Sequence, residues 1–309
     1  MRWEPGLQQA SPGTPPDEGE TRYSGRKVGG KKKRPVQAPG GHSRRDVAYI
    51  VPPHPTEVDR LDVQHYALQG ALGRNYVAPL EQPARILDVG TGTGQWAFDL
   101  CAEFADALVV GLDLEPSKPE QPSNYRYVKT NILQGLALSD DQFDFVHQRL
   151  MVSAVPLKAW SELVKDLARV TRPGGWIELV EPAPDIEPAS PASERMFEMA
   201  KRLGRSLGLD TTAIVFRSLD DFLHRAGLTD IQRRTRDIPL GDWGGRVGSL
   251  LASDMRAGMT RLGGVFQKQF GLSEKECHDL LQAMVVEWEE HRSTWTFAFA
   301  FGRKPAQRG

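Results

Sequence analysis

The sequence predicts an α/β fold, a doubly wound and mostly parallel sheet with helices on both faces. Three observations carry this. Short β-rich runs alternate with helical stretches between residues 85 and 180, and a glycine-rich turn, "DVGTGTGQW", separates the first strand from the next helix. The chain also closes on an alternating apolar run, "TWTFAFAF", after a long helical region.

Residues 1–46 stand apart. They hold six Pro, eight Gly and ten Lys/Arg against five Asp/Glu, with almost no periodic apolar pattern. Such a segment buries too little surface to offset its ordering entropy, so a disordered basic tail is expected. The remaining residues carry 29 basic against 35 acidic side chains, so the formal net charge of -1 hides a basic tail on an acidic body. "KKKR" (Lys31–Arg34) reads as a solvated charged stretch, or more sharply as a nuclear address or anionic-surface tether.

A folded domain is expected over residues 47–309. It opens with "AYIVPPHPTEVDRLDVQHYALQGALG", in which Thr56 can cap a helix with Val58, Leu61, Tyr66 and Leu68 on one side. Strands are expected at Arg85–Val89, Leu108–Leu112, Tyr125–Lys129, Phe143–His147 and Trp176–Val180, with helices around Gln95–Phe104 and Ala159–Val170. Residues 190–228 read as helical, with Met196, Phe197, Ala200 and Leu203 on one stripe, before a strand at "IQRRTRDIPL". Residues 244–292 read as two helices, the second opened by a Ser273/Glu276 capping box. Insertions at about 183–228 and 240–292 would roof the ligand edge of the sheet. Met196, Met199, Trp243, Met255, Met259 and Phe266 would face an organic substrate there, or simply pack the helices together.

Composition narrows the classes. Two cysteines, Cys101 and Cys277, argue against a disulfide framework or a cysteine zinc site and fit a reducing compartment. The seven His and the carboxylates lack ligand-like spacing, so no metal is expected. No apolar run is long enough for a membrane span, and no secretory segment is recognisable. No basic cluster sits on folded elements, so no nucleic-acid partner is expected. The expected location is cytoplasmic, or nuclear if Lys31–Arg34 acts as an address.

A strand running into a glycine turn and then a helix presents backbone N–H groups to a ligand. Gly92, Gly94 and Ala97 satisfy a dinucleotide fingerprint, and Asp113 lies 21 residues beyond Gly92, so the loop alone also allows NAD. Three features favour another ligand. Asp88 precedes Gly90, which suits an ammonium or sulfonium better than a pyrophosphate. "FDFVHQR" supplies a fourth strand and "RVTRPGGWIELVE" a Pro-Gly-Gly turn into a fifth. The closing run suits a seventh strand lying antiparallel at the sheet edge.

Together, "YIVPPHPTEVDRLDVQH", "LDVGTGTGQWA", "FDFVHQR" and "RPGGWIELVE" resemble the class I S-adenosylmethionine (SAM) methyltransferases over residues 49–305. The similar branch includes the fungal LaeA-type regulators of secondary metabolism and bacterial relatives. The resemblance implies a Rossmann-like seven-stranded sheet with its last strand antiparallel, and SAM as cofactor with S-adenosylhomocysteine (SAH) as product. It implies that Asp88, Gly90, Gly92 and Gly94 wrap the methionine part, that Asp113 takes the ribose hydroxyls, and that Leu114 and Ile132 touch adenine. Asn131 stands where the family usually has an acid, and its amide could still accept from the adenine amino group.

Methyl transfer from a sulfonium needs a base only when the nucleophile arrives protonated. His147, at the end of the fourth strand, is the candidate base, or else lines the cofactor with Gln148 and Arg149. Glu181 is the candidate for orienting a substrate hydroxyl or amine, or pairs with a basic neighbour. Asp144 reads as a turn or sheet-edge residue. Tyr49, Arg60, Gln64 and His65 belong to a segment that in this superfamily often folds over the cofactor. The expected activity is methylation of a small organic acceptor, such as a natural product, at O, N or C. A LaeA-type regulator or protein methyltransferase, and a SAM-binding protein without methyl transfer, are the alternatives. The expected partners are the acceptor and, at most, a second copy of the chain.

Overall fold

The computed structural model describes residues 57–115 and 118–306. The chain divides into two units, Met1–Asp46 and Val47–Gly309. The tail with its Lys31–Arg34 cluster, Tyr49 and the expected cap Thr56 all lie outside the described residues.

Helix α1 (Glu57–Leu72) precedes β1 (Arg85–Val89), α2 (Gln95–Glu103), β2 (Leu108–Asp113), β3 (Tyr125–Lys129) and β4 (Phe143–Arg149). Then come α3 (Trp160–Val170), β5 (Thr171–Glu187), α4 (Pro191–Ser206), α5 (Ile214–Arg217), α6 (Leu219–Arg225) and β6 (Thr229–Pro239). Helices α7 (Gly245–Phe270) and α8 (Glu274–Glu290) lead into β7 (Thr294–Arg303).

The seven strands form one sheet in the order β3-β2-β1-β4-β5-β7-β6. Strands β1 to β5 are parallel, and β7 runs antiparallel to both β5 and β6. The order reverses between β1 and β4, which opens the crevice at the carboxyl ends where such sheets bind ligands. One expectation is corrected. The closing strand is not at the edge but between β5 and β6. Its residues Phe297 to Gly302 are all buried, as suits a strand covered on both faces, whereas β6, "TDIQRRTRDIP", is largely exposed. A charged strand tolerates the edge; an apolar one there would invite aggregation.

Strand β5 is also much longer than expected. It begins at Thr171, ahead of the glycine pair, and continues past Pro182, where its register against β7 shifts. The extra length bridges the parallel half of the sheet to the antiparallel pair.

Alternation along the strands sorts the core. Leu87, Val89, Val110 and Val146 pack with α3 and α6 on one face, while Ile86, Val109 and Phe145 pack with Trp96 and Leu100 of α2 on the other. A separate cluster gathers Met196, Met199, Met255, Met259, Phe266 and Trp288. Thus the methionines and the phenylalanine of the insertions pack chiefly on one another. Ser273 does cap α8: its backbone N–H donates to the Glu276 carboxylate at 2.8 Å, and its hydroxyl accepts from the Glu276 N–H at 3.2 Å. Such a cap contributes about 1 kcal/mol.

Candidate functional site

β1 ends in Asp88 and Val89 and turns through Gly90, Gly92 and Gly94, whose φ values are +75°, +55° and +84°. Only glycine takes this left-handed path without strain. The N–H groups of Gly90 and Thr91 donate to the Leu112 carbonyl at 2.9 and 3.0 Å, which folds the loop back over the end of β2. Space is as demanding as conformation at Gly90, because a Cβ there would overlap the Met151 side chain.

Asp113 ties this loop to the one after β2. Its Oδ2 accepts from Gly92 N–H at 2.8 Å, and its Oδ1 from Leu114 and Glu115 N–H at 2.6 and 3.3 Å. Burial pushes its pKa up, and the three backbone donors oppose that shift. Leu114 beside it is half-buried, as is Ile132. The side-chain oxygen of Asn131 accepts from Leu133 N–H at 3.0 Å and caps a 3-10 turn, Ile132–Gln134. The amide is thereby engaged in shaping the loop that carries Ile132.

Neither expected catalytic group is placed as a substrate-facing base or acid. His147 is 1% exposed, opposite Asp88 in the β1–β4 register. Its Nδ1 donates to the Asp88 carboxylate at 3.1 Å, and its ring stacks on Trp96. Burial lowers the His147 pKa, with the Asp88 hydrogen bond opposing, so the ring is neutral at pH 7 and its Nδ1 proton is committed. The imidazole therefore orients Asp88.

Glu181 is 0% exposed. It accepts from the Met151 and Val152 N–H groups at 2.8 and 3.0 Å, and burial pushes its pKa up to about 8. The carboxyl clasps the turn after β4 and so holds Met151 against Gly90. Among the described residues it pairs with no basic side chain. Gln148, by contrast, is 0% exposed, and neither polar atom of its amide has a partner among the described residues. Asp144 is structural, accepting from Ala84 and Arg85 N–H and pairing with Arg172.

Helix α1 lies over the loop. Leu61 covers Gly92, and the Asp62 carboxylate accepts from the Thr93 hydroxyl at 2.7 Å and from Lys118. One turn around, Arg60 pairs with Asp254 of α7 at 2.5 Å, and Gln64 donates to the other Asp254 oxygen at 3.0 Å. His65 Nε2 donates to Asp99 at 2.9 Å, while its Nδ1 accepts from Arg149 at 3.2 Å. Leu61 and Asp62 are the residues of α1 that touch the loop, whereas Arg60 and Gln64 meet α7 and His65 meets α2 and β4.

Three contributors escaped the sequence reading. Glu178 accepts from Val77 and Ala78 N–H, both at 2.7 Å, with its pKa raised by burial to about 7. Asp99 anchors His65, and Asp254 anchors Arg60. Asp254 left a legible signal: it is a carboxylate on the apolar stripe of Leu251, Met255, Met259 and Leu262. Among the described residues no group of three His, Cys, Asp or Glu could hold a metal ion, and no helix is long and apolar enough to cross a membrane.

Comparison with known proteins agrees with this architecture. The chain is 30% identical over 224 residues to the secondary metabolism regulator laeA of Aspergillus flavus, covering 69% of this chain and 60% of that protein. It is 31% identical over 216 residues to the methyltransferase pytC of Aspergillus terreus, covering 65% and 64%. The N-methyltransferase sirN of Leptosphaeria maculans is 27% identical over 282 residues, covering 84% and 95%. The chain thus spans less than two thirds of the length of the first two relatives. A family model described as a methyltransferase domain matches residues 64–233, more than half of the sequence, and the chain belongs to that family.

Proposed function

We propose that this protein is a SAM-dependent methyltransferase acting on a small organic acceptor at oxygen, nitrogen or carbon. The observation that carries the reading is the Asp113 carboxylate, which ties the left-handed glycine loop to the end of β2. At the end of β2 it would take a nucleoside's ribose hydroxyls, beside a loop whose backbone admits close approach. The residues present fit the cofactor. Gly90, Gly92 and Gly94 would wrap the amino-acid part, Asp88 would face its ammonium, Leu114 and Ile132 would flank adenine, and the buried Gln148 amide offers donors and an acceptor that have no partner among the described residues.

When bound, SAM supplies a methyl group already activated by its sulfonium. The protein's part is then alignment and exclusion of water, which together are worth many orders of magnitude. His147 holds the Asp88 carboxylate in one orientation, and Glu181 holds Met151 against the glycine loop. With both groups engaged in this way, the site works by positioning rather than by a dedicated base.

Titration with SAM followed by a screen for SAH formation tests the reading. Asp113→Ala should weaken SAM binding at least tenfold, about 1.4 kcal/mol. Unchanged affinity would mean that the loop holds another ligand. The similarity to laeA supports a second reading, a regulatory protein or protein methyltransferase. SAM binding without SAH formation on small acceptors, but with methylation of a protein, would favour it.

A further inference from the structure

Strand β6 ends the sheet with a row of arginines. Opposite residues of an antiparallel pair share a face, so Gln232, Arg234 and Arg236 stand on the face of Phe301, Phe299 and Phe297. Arg233, Thr235 and Asp237 stand on the other, and that face is satisfied internally. Arg233 donates to the Phe216 carbonyl at 3.0 Å and lies 3.9 Å from the Asp220 carboxylate, while Asp237 accepts from the Thr296 hydroxyl at 2.6 Å. The first face differs. Arg234 lies over the Phe301 ring and donates to the Gln232 side chain at 2.9 Å, with no carboxylate in ion-pair distance among the described residues. Arg236 has neither a hydrogen bond nor an ion pair among them. Both arginines are exposed.

The same strand has an open ladder. Its inner side pairs with β7, and among the described residues no backbone group takes its outer side. Such an edge accepts an extended chain. Alternate side chains of an added strand repeat every two residues, about 7 Å, and so match Arg234 and Arg236 one for one. Carboxylates at those two places meet both guanidiniums, which bind them in a planar fork. Each exposed cross-strand pair contributes about 0.2–1 kcal/mol, so the pairs select the occupant while the ladder hydrogen bonds hold it. A second copy of β6 is the wrong occupant. Paired antiparallel and centred on Thr235, it sets Arg234 of each copy against Arg236 of the other, and like charges directly opposite weaken a ladder.

We propose that the β6 edge is a docking strand for an acidic peptide of a partner protein, which adds to the sheet in extended form with acidic residues at two alternate positions facing Arg234 and Arg236. Strands β4, β5 and β7 separate this edge from β1 and the glycine loop, so docking there is independent of what that loop binds.

Fluorescence anisotropy of the full chain with labelled peptides of about ten residues tests this. One peptide carries Glu at two alternate positions among Val and Thr residues, and two controls replace both Glu by Gln or by Lys. Wild type should bind the Glu peptide at least fivefold tighter than the Gln peptide at low salt, and the preference should shrink as salt is added. Charge reversal in Arg234→Glu/Arg236→Glu should invert the order, so that the Lys peptide binds best. Should that variant fold poorly, Arg234→Gln/Arg236→Gln should bind the three peptides within about twofold of one another. Hydrogen exchange at the β6 amides of wild type should slow when the Glu peptide is added. Glu and Gln peptides bound equally by wild type, an order unchanged by charge reversal, or exchange at β6 that does not slow would each overturn the proposal. Tighter binding of single-stranded oligo-dT, lost in the same variant, would assign the arginines to phosphates and overturn it as well.

Discussion

The imidazole of His147 lies flat against the indole of Trp96, with ring centroids 3.8 Å apart and planes 7° from parallel, while its Nδ1 holds the Asp88 carboxylate at 3.1 Å. A stacked, hydrogen-bonded ring at the centre of a parallel sheet is part of the frame that aims Asp88 at the glycine loop.

His147→Ala should therefore cost stability as well as ligand affinity. Loss of the stack and of the Asp88 donor predicts a destabilisation of about 2 kcal/mol or more, read by urea denaturation. The pH dependence has a definite sign. Burial holds the folded pKa of His147 below its ordinary value near 6.5, so its contribution is complete above that pH and is lost as pH falls. His147→Asn should lose less stability than wild type between pH 7 and 5, with buried His65 retaining its own share in the same direction. Parallel profiles for the two proteins would exclude this role.

Glu181 has the opposite sign. Its folded pKa, raised to about 8, lies above the ordinary carboxyl value, so its contribution is complete at low pH and is lost as pH rises through about 8. Glu181→Gln should be no more stable than wild type at pH 5, since an amide offers one acceptor to two N–H groups. The difference in melting temperature, variant minus wild type, should climb steadily towards pH 9. Glu178, raised to about 7, keeps a smaller slope in the variant. A difference that stays flat with pH would show that Glu181 is ionised throughout.

Asp254 joins the long helix α7 to α1 through Arg60 and Gln64. Asp254→Leu removes a buried carboxylate partner of Arg60 and Gln64 and should cost about 3 kcal/mol, whereas the double variant Arg60→Met/Asp254→Leu should recover part of the loss. Since α1 also covers Gly92 and contacts Thr93, the single variant should weaken SAM binding in the same preparation. Additive losses in the double variant would show that the two residues act independently.

The sequence by itself determined the alternation of strands and helices, the left-handed glycine loop and Asp113 at the end of β2. These depend on local pattern: apolar periodicity sets the elements, and glycine is required wherever the chain turns with positive φ. It also supplied the capping box of α8, which lies within four consecutive residues. Tertiary structure decided the rest. The place of β7 inside the sheet depends on which strand can tolerate an edge, a comparison between β6 and β7 that neither segment contains alone. The roles of His147 and Glu181 turned on partners 59 and 30 residues away, which engage them before any substrate could. A side chain's chemistry follows from its type, but whether that chemistry is free to act depends on long-range pairing and burial, which no local pattern encodes.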